Sequence, residues 1–439
     1  MDTDPALAPT RSAAIDDAAP GRLSGRYRVF LGATAVVGLH VVDDNFLQPA
    51  AGTHALDHLA SGLVPLALLA LGGWFHLRVR AGARALIAIA TGIFGVMIGG
   101  FEAGYYSVAI GPSGDDFTGL LAIPAGLVLV GVGVSVLWRS RRRTPRLWWR
   151  YSRRLLLGLV GVVALYEVVL PVGVAYMSTH TARAVVPDAD LGAPYENVTL
   201  KTSDGLSLEG WYVPSKNGAA VISFPGRKGS GTQAQARMLV EHGYGVLLFD
   251  RRGEGVSEGD GNMFGWGGER DIFAALDFLE QRPDVDPARI GGIGLSVGGE
   301  LMVQAAAQDE RLAAVVSEGS GTRSLPEELE EYTAVEVALN FPLLALKTAA
   351  VAVFSNTAVP PKLTDLIPRI TPRPTMFIWA PNGGNVEWMN PTYNRLAGAN
   401  SSIWEIDDVR HIRGLAGHPD EYQKRVVGFF DAALLQAQP

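Results

Sequence analysis

Two architectures in one chain are predicted: an all-α bundle of five transmembrane helices, followed by an α/β unit with a mostly parallel sheet and a helical cap. Three observations predict them. Residues 29–177 are almost continuously apolar and poor in Asp, Glu and Lys, whereas 185–439 carries most of the acids. Five apolar runs follow one another in the first half, each about the 20 residues that a helix needs to cross the hydrocarbon core. In the second half, short strand-like runs alternate with helical patterns, which implies a sheet covered on both faces. The averages over 439 residues, 48% hydrophobic and 18% charged, conceal that division. A net charge of -7 gives no support for nucleic-acid binding. With no cysteine, the chain has no disulfide, thiolate zinc site or cysteine nucleophile.

Residues 1–28 are rich in Ala, Pro, Asp and Arg without periodicity, so a disordered cytoplasmic tail is expected. The membrane domain, 29–180, contains the runs near 29–50, 59–77, 85–110, 117–138 and 155–177. Five in succession, separated by short polar loops, are not explained by one buried helix or a signal peptide. Arginines set the orientation. Arg22, Arg26 and Arg28 precede the first run, Arg78, Arg80 and Arg84 follow the second, and eight arginines from Arg139 to Arg154 follow the fourth. The two intervening loops have no Arg or Lys, so the N-terminus and the Arg-rich loops are expected in the cytoplasm. An odd number of spans then puts everything after Met177 outside it. Trp138, Trp148, Trp149 and Tyr151 are expected at the cytoplasmic interface.

Polar residues interrupt the apolar pattern. His40, Asp43, Asp44 and Asn45 end the first run, and His54, Asp57 and His58 precede the second. On a helix the last three share a face, which makes a metal or proton site one reading of this cluster. The other places these acids near the headgroups, with Asp57 capping or flanking the second helix. Glu102 and Glu167 also fall inside spans, where pairing across the bundle is expected.

After a connector at 181–195, the α/β unit occupies 196–437. Strands are predicted at 198–202, 206–213, 219–224, 245–250, 289–294, 313–317, 375–380 and 402–406. Asp204-Gly205 supplies a hairpin turn between the first two. Helices are predicted near 232–242, 270–281, 297–308 and 419–435. An insertion at about 320–371 separates the sixth and seventh strands. Its apolar centre, 332–353, reads as a cap over a site rather than a sixth span, because of its charges, Pro342 and its place inside the α/β unit.

Gly294-Leu295-Ser296-Val297-Gly298 falls where a strand ends and a helix begins. A nucleophile elbow needs small residues beside the Ser, since the turn is tight, and the following helix points free N–H groups at the site. The string alone is weak evidence; its strand–turn–helix setting gives it weight. Two further motifs accompany it: Asp250-Arg251-Arg252-Gly253-Glu254-Gly255-Val256-Ser257 after the fourth strand, and Asp408-Val409-Arg410-His411 after the last.

With these motifs, residues 195–437 resemble the α/β-hydrolase superfamily, and more narrowly its dienelactone-hydrolase and prolyl-oligopeptidase-like branches. The resemblance implies a serine hydrolase with no metal and no cofactor. Ser296 is then the nucleophile and His411 the base that takes its proton; His418 is the competing histidine. The family usually has an Asp after the seventh strand, but the loop at 381–390 has only Glu387, which is expected to orient His411. Glu318 is the alternative acid. The oxyanion hole is expected to use the backbone N–H groups of Val297 and Arg227. Family members often have His-Gly at the latter loop, whereas this chain has Pro225-Gly226.

The resulting expectation is a multi-pass membrane hydrolase acting outside the cytoplasm on a small or lipid-like acyl ester, with the bilayer as its one implied partner. Two alternatives stand beside it. One is a peptidase, since the prolyl-oligopeptidase-like branch shares these motifs. The other is a sensor or transporter whose hydrolase unit only binds ligand and whose working site is the His40–His58 cluster.

Overall fold

A computed structural model of the protein describes residues 25–109, 117–140, 147–181, 189–226, 232–383 and 386–436. The first helices are α1 (Gly25–Val42), α2 (Leu59–His76), α3 (Ala81–Ala109), α4 (Phe117–Arg139), α5 (Leu147–Ala164) and α6 (Leu170–Thr179). A π-helical turn over Leu165–Val169 joins α5 to α6, and another over Asp43–Leu47 extends α1. Glycines let α3 and α4 approach backbone to backbone. A Cβ at Gly92 would lie 2.5 Å from the Gly126 carbonyl oxygen, one at Gly99 would lie 2.3 Å from that of Gly119, and one at Gly133 would lie 2.8 Å from that of Ala85. The three contacts recur every seven residues along both helices, as in an antiparallel seam of small residues.

The α/β unit follows. Its strands are β1 (Glu196–Lys201), β2 (Ser207–Val213), β3 (Ala220–Phe224), β4 (Gly245–Phe249), β5 (Ile290–Leu295), β6 (Ala314–Glu318), β7 (Thr375–Trp379) and β8 (Ser401–Glu405). They form one sheet in the order β1-β2-β4-β3-β5-β6-β7-β8, in which only β2 is antiparallel to its neighbours. The eight predicted strands fall within a residue or two of these. Fully buried strands such as β4 and β5 read as unbroken apolar or glycine runs because both faces are covered, and β3 does so but for Ser223. The helices are α7 (Gln233–Glu241), α8 (Glu269–Glu280), α9 (Val297–Gln308), α10 (Leu325–Glu328), α11 (Ala334–Phe354), α12 (Leu363–Leu366), α13 (Asn390–Leu396), α14 (Gly414–Gly417) and α15 (Pro419–Phe430). One face of the sheet packs its core with α8, α9, α12 and α13, and the other packs with α7 and α15.

Among the described residues six helices, not five, are long and apolar enough to cross a membrane, and the sixth is α11. It lies in the insertion between β6 and β7. Those two strands pair with each other, so both ends of the insertion return to one sheet and α11 cannot carry the chain across a bilayer.

The polar cluster is also arranged differently from a helical face. Residues 54–58 form turns ahead of α2, with Asp57 accepting from the His54 N–H at 2.8 Å. Among the described residues no group of three His, Asp or Glu side chains converges as metal ligands. The cluster instead forms hydrogen bonds between helices. Tyr176 donates to Asp44 at 2.9 Å, Asn45 donates to the Tyr176 hydroxyl at 3.0 Å, Ser61 donates to Asn45 at 2.5 Å and Thr118 donates to Asp43 at 2.6 Å. Oε2 of Glu167 has no hydrogen-bond partner among the described residues, and the Glu102 side chain lies outside them.

The bundle and the α/β unit meet through backbone and side chains. The Gly259 N–H donates to the Ala51 carbonyl and the Met263 N–H to that of Ser178, both at 2.8 Å. His58 lies 3.7 Å from Asp260. Phe354 of α11 packs edge-on against Tyr176 of α6, with ring centroids 5.4 Å apart.

Candidate active site

Ser296 sits between β5 and α9 with φ 54 and ψ -126, a left-handed conformation rare for a residue with a side chain. Its neighbours explain how the turn survives. A Cβ at Gly294 would fall 2.2 Å from the Gly298 carbonyl oxygen, and one at Gly298 would fall 2.4 Å from that of Pro225. The Ser296 N–H donates to the Glu318 carbonyl of β6 at 2.7 Å, which fastens the elbow to the sheet.

His411 lies on the turn after β8, with Nε2 2.9 Å from Ser296 Oγ. Its Nδ1 lies 2.5 Å from Oε1 of Glu387. Glu387 is 1% exposed, and its other oxygen accepts from the Ala380 N–H at 2.7 Å. One carboxylate oxygen is thereby held by the end of β7 and the other faces the imidazole. The three side chains form an unbroken chain from a strained serine to a buried acid, the arrangement that lets an imidazole remove a hydroxyl proton.

Glu318, the alternative acid, is placed elsewhere. It is buried and accepts from the Gly414 N–H at 2.9 Å and the Tyr422 hydroxyl at 2.6 Å. Burial pushes its carboxyl above the usual range despite these donors. It ties down the segment just after His411, a role that residue order alone did not indicate. His418 pairs with exposed Asp408 at 2.7 Å, away from Ser296. Gly319, missed in the sequence, has φ +72, and a Cβ there would lie 3.0 Å from His411 Cε1.

Val297 opens α9, so its N–H has no acceptor within the helix. Arg227, the other expected donor, lies outside the described residues. Gly226 before it is in place over the elbow, where a Cβ would meet Ser296 Cβ at 3.3 Å.

The segment after β4 is a packed scaffold beside the site. Ser257 donates to the Asp250 carbonyl at 2.8 Å, and Arg251 pairs with Glu254 at 2.9 Å, both side chains buried. Arg252 bridges Asp271 and Asp204. Burial outweighs the Arg251 contact at Glu254, whose carboxyl is pushed up to about 7, and it raises Asp250 to about 6.

Several known proteins are similar to parts of this chain. Residues 187–369 match the model of a family described as X-Pro dipeptidyl-peptidase (S15 family). An uncharacterized protein of Mycobacterium tuberculosis is 36% identical over 137 residues, which cover 30% of this chain and 48% of that one. A thiohydrolase of Aspergillus aculeatus is 35% identical over 129 residues, covering 28% and 41%. The chain thus spans less than half the length of these curated relatives. An esterase of Pyrococcus furiosus superposes with a TM-score of 0.46 at 21% identity, over 57% of this chain and 98% of that one. The strand order and the elbow between β5 and α9 give the second half of this chain an α/β-hydrolase fold, joined to an N-terminal region of apolar helices, and its residues 187–369 are similar to the S15 family.

Proposed function

We propose that the protein is a membrane-anchored serine hydrolase that cleaves ester or related acyl bonds through an acyl-enzyme. The observation that carries this reading is the continuous Ser296–His411–Glu387 hydrogen-bond chain at a strained elbow. Ser296 Oγ attacks the acyl carbon while His411 Nε2 takes its proton. Glu387 fixes the imidazole with Nδ1 protonated and stabilises the cation that forms. The oxyanion of the tetrahedral intermediate is held by the Val297 N–H and by the Arg227 backbone. As the intermediate collapses, the acyl carbon–oxygen bond breaks and the alcohol leaves with the proton from His411. Water, deprotonated by the same imidazole, then releases the acid and restores Ser296.

The anchor is the set of apolar helices α1 to α6, with the arginines near their cytoplasmic ends. Their distribution supports a hydrolase unit on the extracytoplasmic side. Labelling of intact cells with a fluorophosphonate probe tests the reading. Wild type is expected to label and Ser296→Ala not to label; equal labelling of both would overturn it. The family match favours a second reading, a peptidase. Turnover of an Xaa-Pro-p-nitroanilide at a higher kcat/KM than a p-nitrophenyl ester would select it.

A further inference from the structure

The insertion between β6 and β7 contains an unusual helix. The second half of α11 is covered: Ala350, Val351 and Phe354 share an apolar cluster with Tyr176 of α6 and Trp266 of the segment before α8. Its first half is apolar and bare, with Val335, Leu339 and Phe341 at 70%, 65% and 47% exposure. A patch of this kind on a water-facing surface marks an interaction site. Here it continues another apolar surface, because α11 also touches the π turn at Leu165–Val169, where Tyr166 and Val168 are exposed among the outward-facing residues of the last span. Since α11 cannot cross the bilayer, its bare half has one available apolar solvent, the leaflet on the hydrolase side.

The same helix connects inward to the nucleophile. Trp266 packs in the cluster with Val351 and Phe354, and Lys347 lies over the Phe264 ring at 6.0 Å. Gly265, between those two aromatics, presses on the first turns of α9, so that a Cβ there would meet Val297 Cγ1 at 2.6 Å. Val297 directly follows Ser296. The other end of the insertion leaves β6 at Gly319, against His411. Through Phe264 and Trp266, α11 is thereby packed onto the segment that presses on Val297, and the insertion that contains it borders His411.

We propose that the substrate is an acyl ester of a bilayer lipid, which reaches Ser296 along α11 from the leaflet facing the hydrolase. This rests on the serine-hydrolase reading above and names its substrate class.

The test uses the full chain in phosphatidylcholine nanodiscs. Three readouts are taken from wild type and from the Leu339→Ser/Phe341→Ser double variant: fluorophosphonate labelling, p-nitrophenyl acetate hydrolysis, and fatty-acid release from a pyrene-acyl phosphatidylcholine in the disc. The variant is expected to keep the first two within about twofold and to lose about tenfold or more of the third. Equal change in both hydrolytic readouts, or no change in the third, would overturn the proposal. Wild type that cleaves the acetate but releases no fatty acid would overturn it and leave the serine-hydrolase reading standing. Wild type that neither labels nor cleaves the acetate would overturn both. Because the chain has no cysteine, a fluorophore at Leu339→Cys reports the helix position independently of activity. Quenching by brominated lipid should match that at lipid-facing Val162→Cys; quenching as weak as at Ala399→Cys would exclude the leaflet contact.

Discussion

Glu387 stands seven residues beyond the last backbone group it binds, Ala380, and reaches back to place one oxygen on that N–H and the other on His411. The longer side chain of Glu fits this geometry, in which an aspartate at the same position would fall short by a methylene. Glu387→Gln keeps the size and removes the charge that holds the imidazolium. We expect a loss of kcat by about 10²- to 10⁴-fold with the folded state retained, measured by ester hydrolysis beside circular dichroism. Gly298→Ala works through space rather than charge. Its Cβ has no room beside Pro225, so the elbow must open, and labelling of Ser296 should be lost in a protein with lower thermal stability. Position in the chain pointed to Ser296 and His411 because both follow strands. It left Glu387 and Glu318 as alternatives because nothing in residue order says which carboxylate faces Nδ1 and which faces Tyr422.

Elements were readable where their pattern is local. β3, β4 and β5 were found as strands, and α9 as the helix that must follow the elbow. The glycine seam between α3 and α4 was not found, since the seven-residue spacing of Gly92 and Gly99 acquires meaning only when the partner helix and its register are known. Gly126→Leu is expected to push the two helices apart and to lower the melting temperature in detergent more than Gly131→Leu, whose site has nothing within 4 Å. The polar cluster was visible as residues but not as a network. Asn45 and Tyr176 are 131 residues apart, beyond any periodicity argument. The segment after β4 has its own signature in pH. Carboxyls raised to about 6 and about 7 at Asp250 and Glu254 hold protons in the folded state that the unfolded chain releases. The contribution of these two groups to stability is therefore full below about pH 4 and is lost as pH rises through the folded values. Thermal unfolding followed from pH 4 to 8 should show that fall in wild type and a shallower one in Glu254→Gln.

For the whole molecule, the arginine pattern makes a directional claim that cysteine scanning can read on a chain with no native thiol. A membrane-impermeant maleimide should reach Ala399→Cys in intact cells and Ser140→Cys only after permeabilisation; the reverse order would invert the topology. The sequence divides into halves of different composition, and that division suggests two parts with independent lives. The junction through Ala51, Ser178, His58 and the Tyr176–Phe354 contact argues otherwise. The hydrolase-fold half is accordingly expected to depend on the bundle for part of its packing. Trp266, Val351 and Phe354 owe their burial partly to a helix that belongs to the other half. Residues 189–436 produced alone should bind a hydrophobic dye and self-associate, whereas the intact chain should do neither. Exchange of the helical half for an unrelated partner would accordingly require a matching floor under Trp266, Val351 and Phe354.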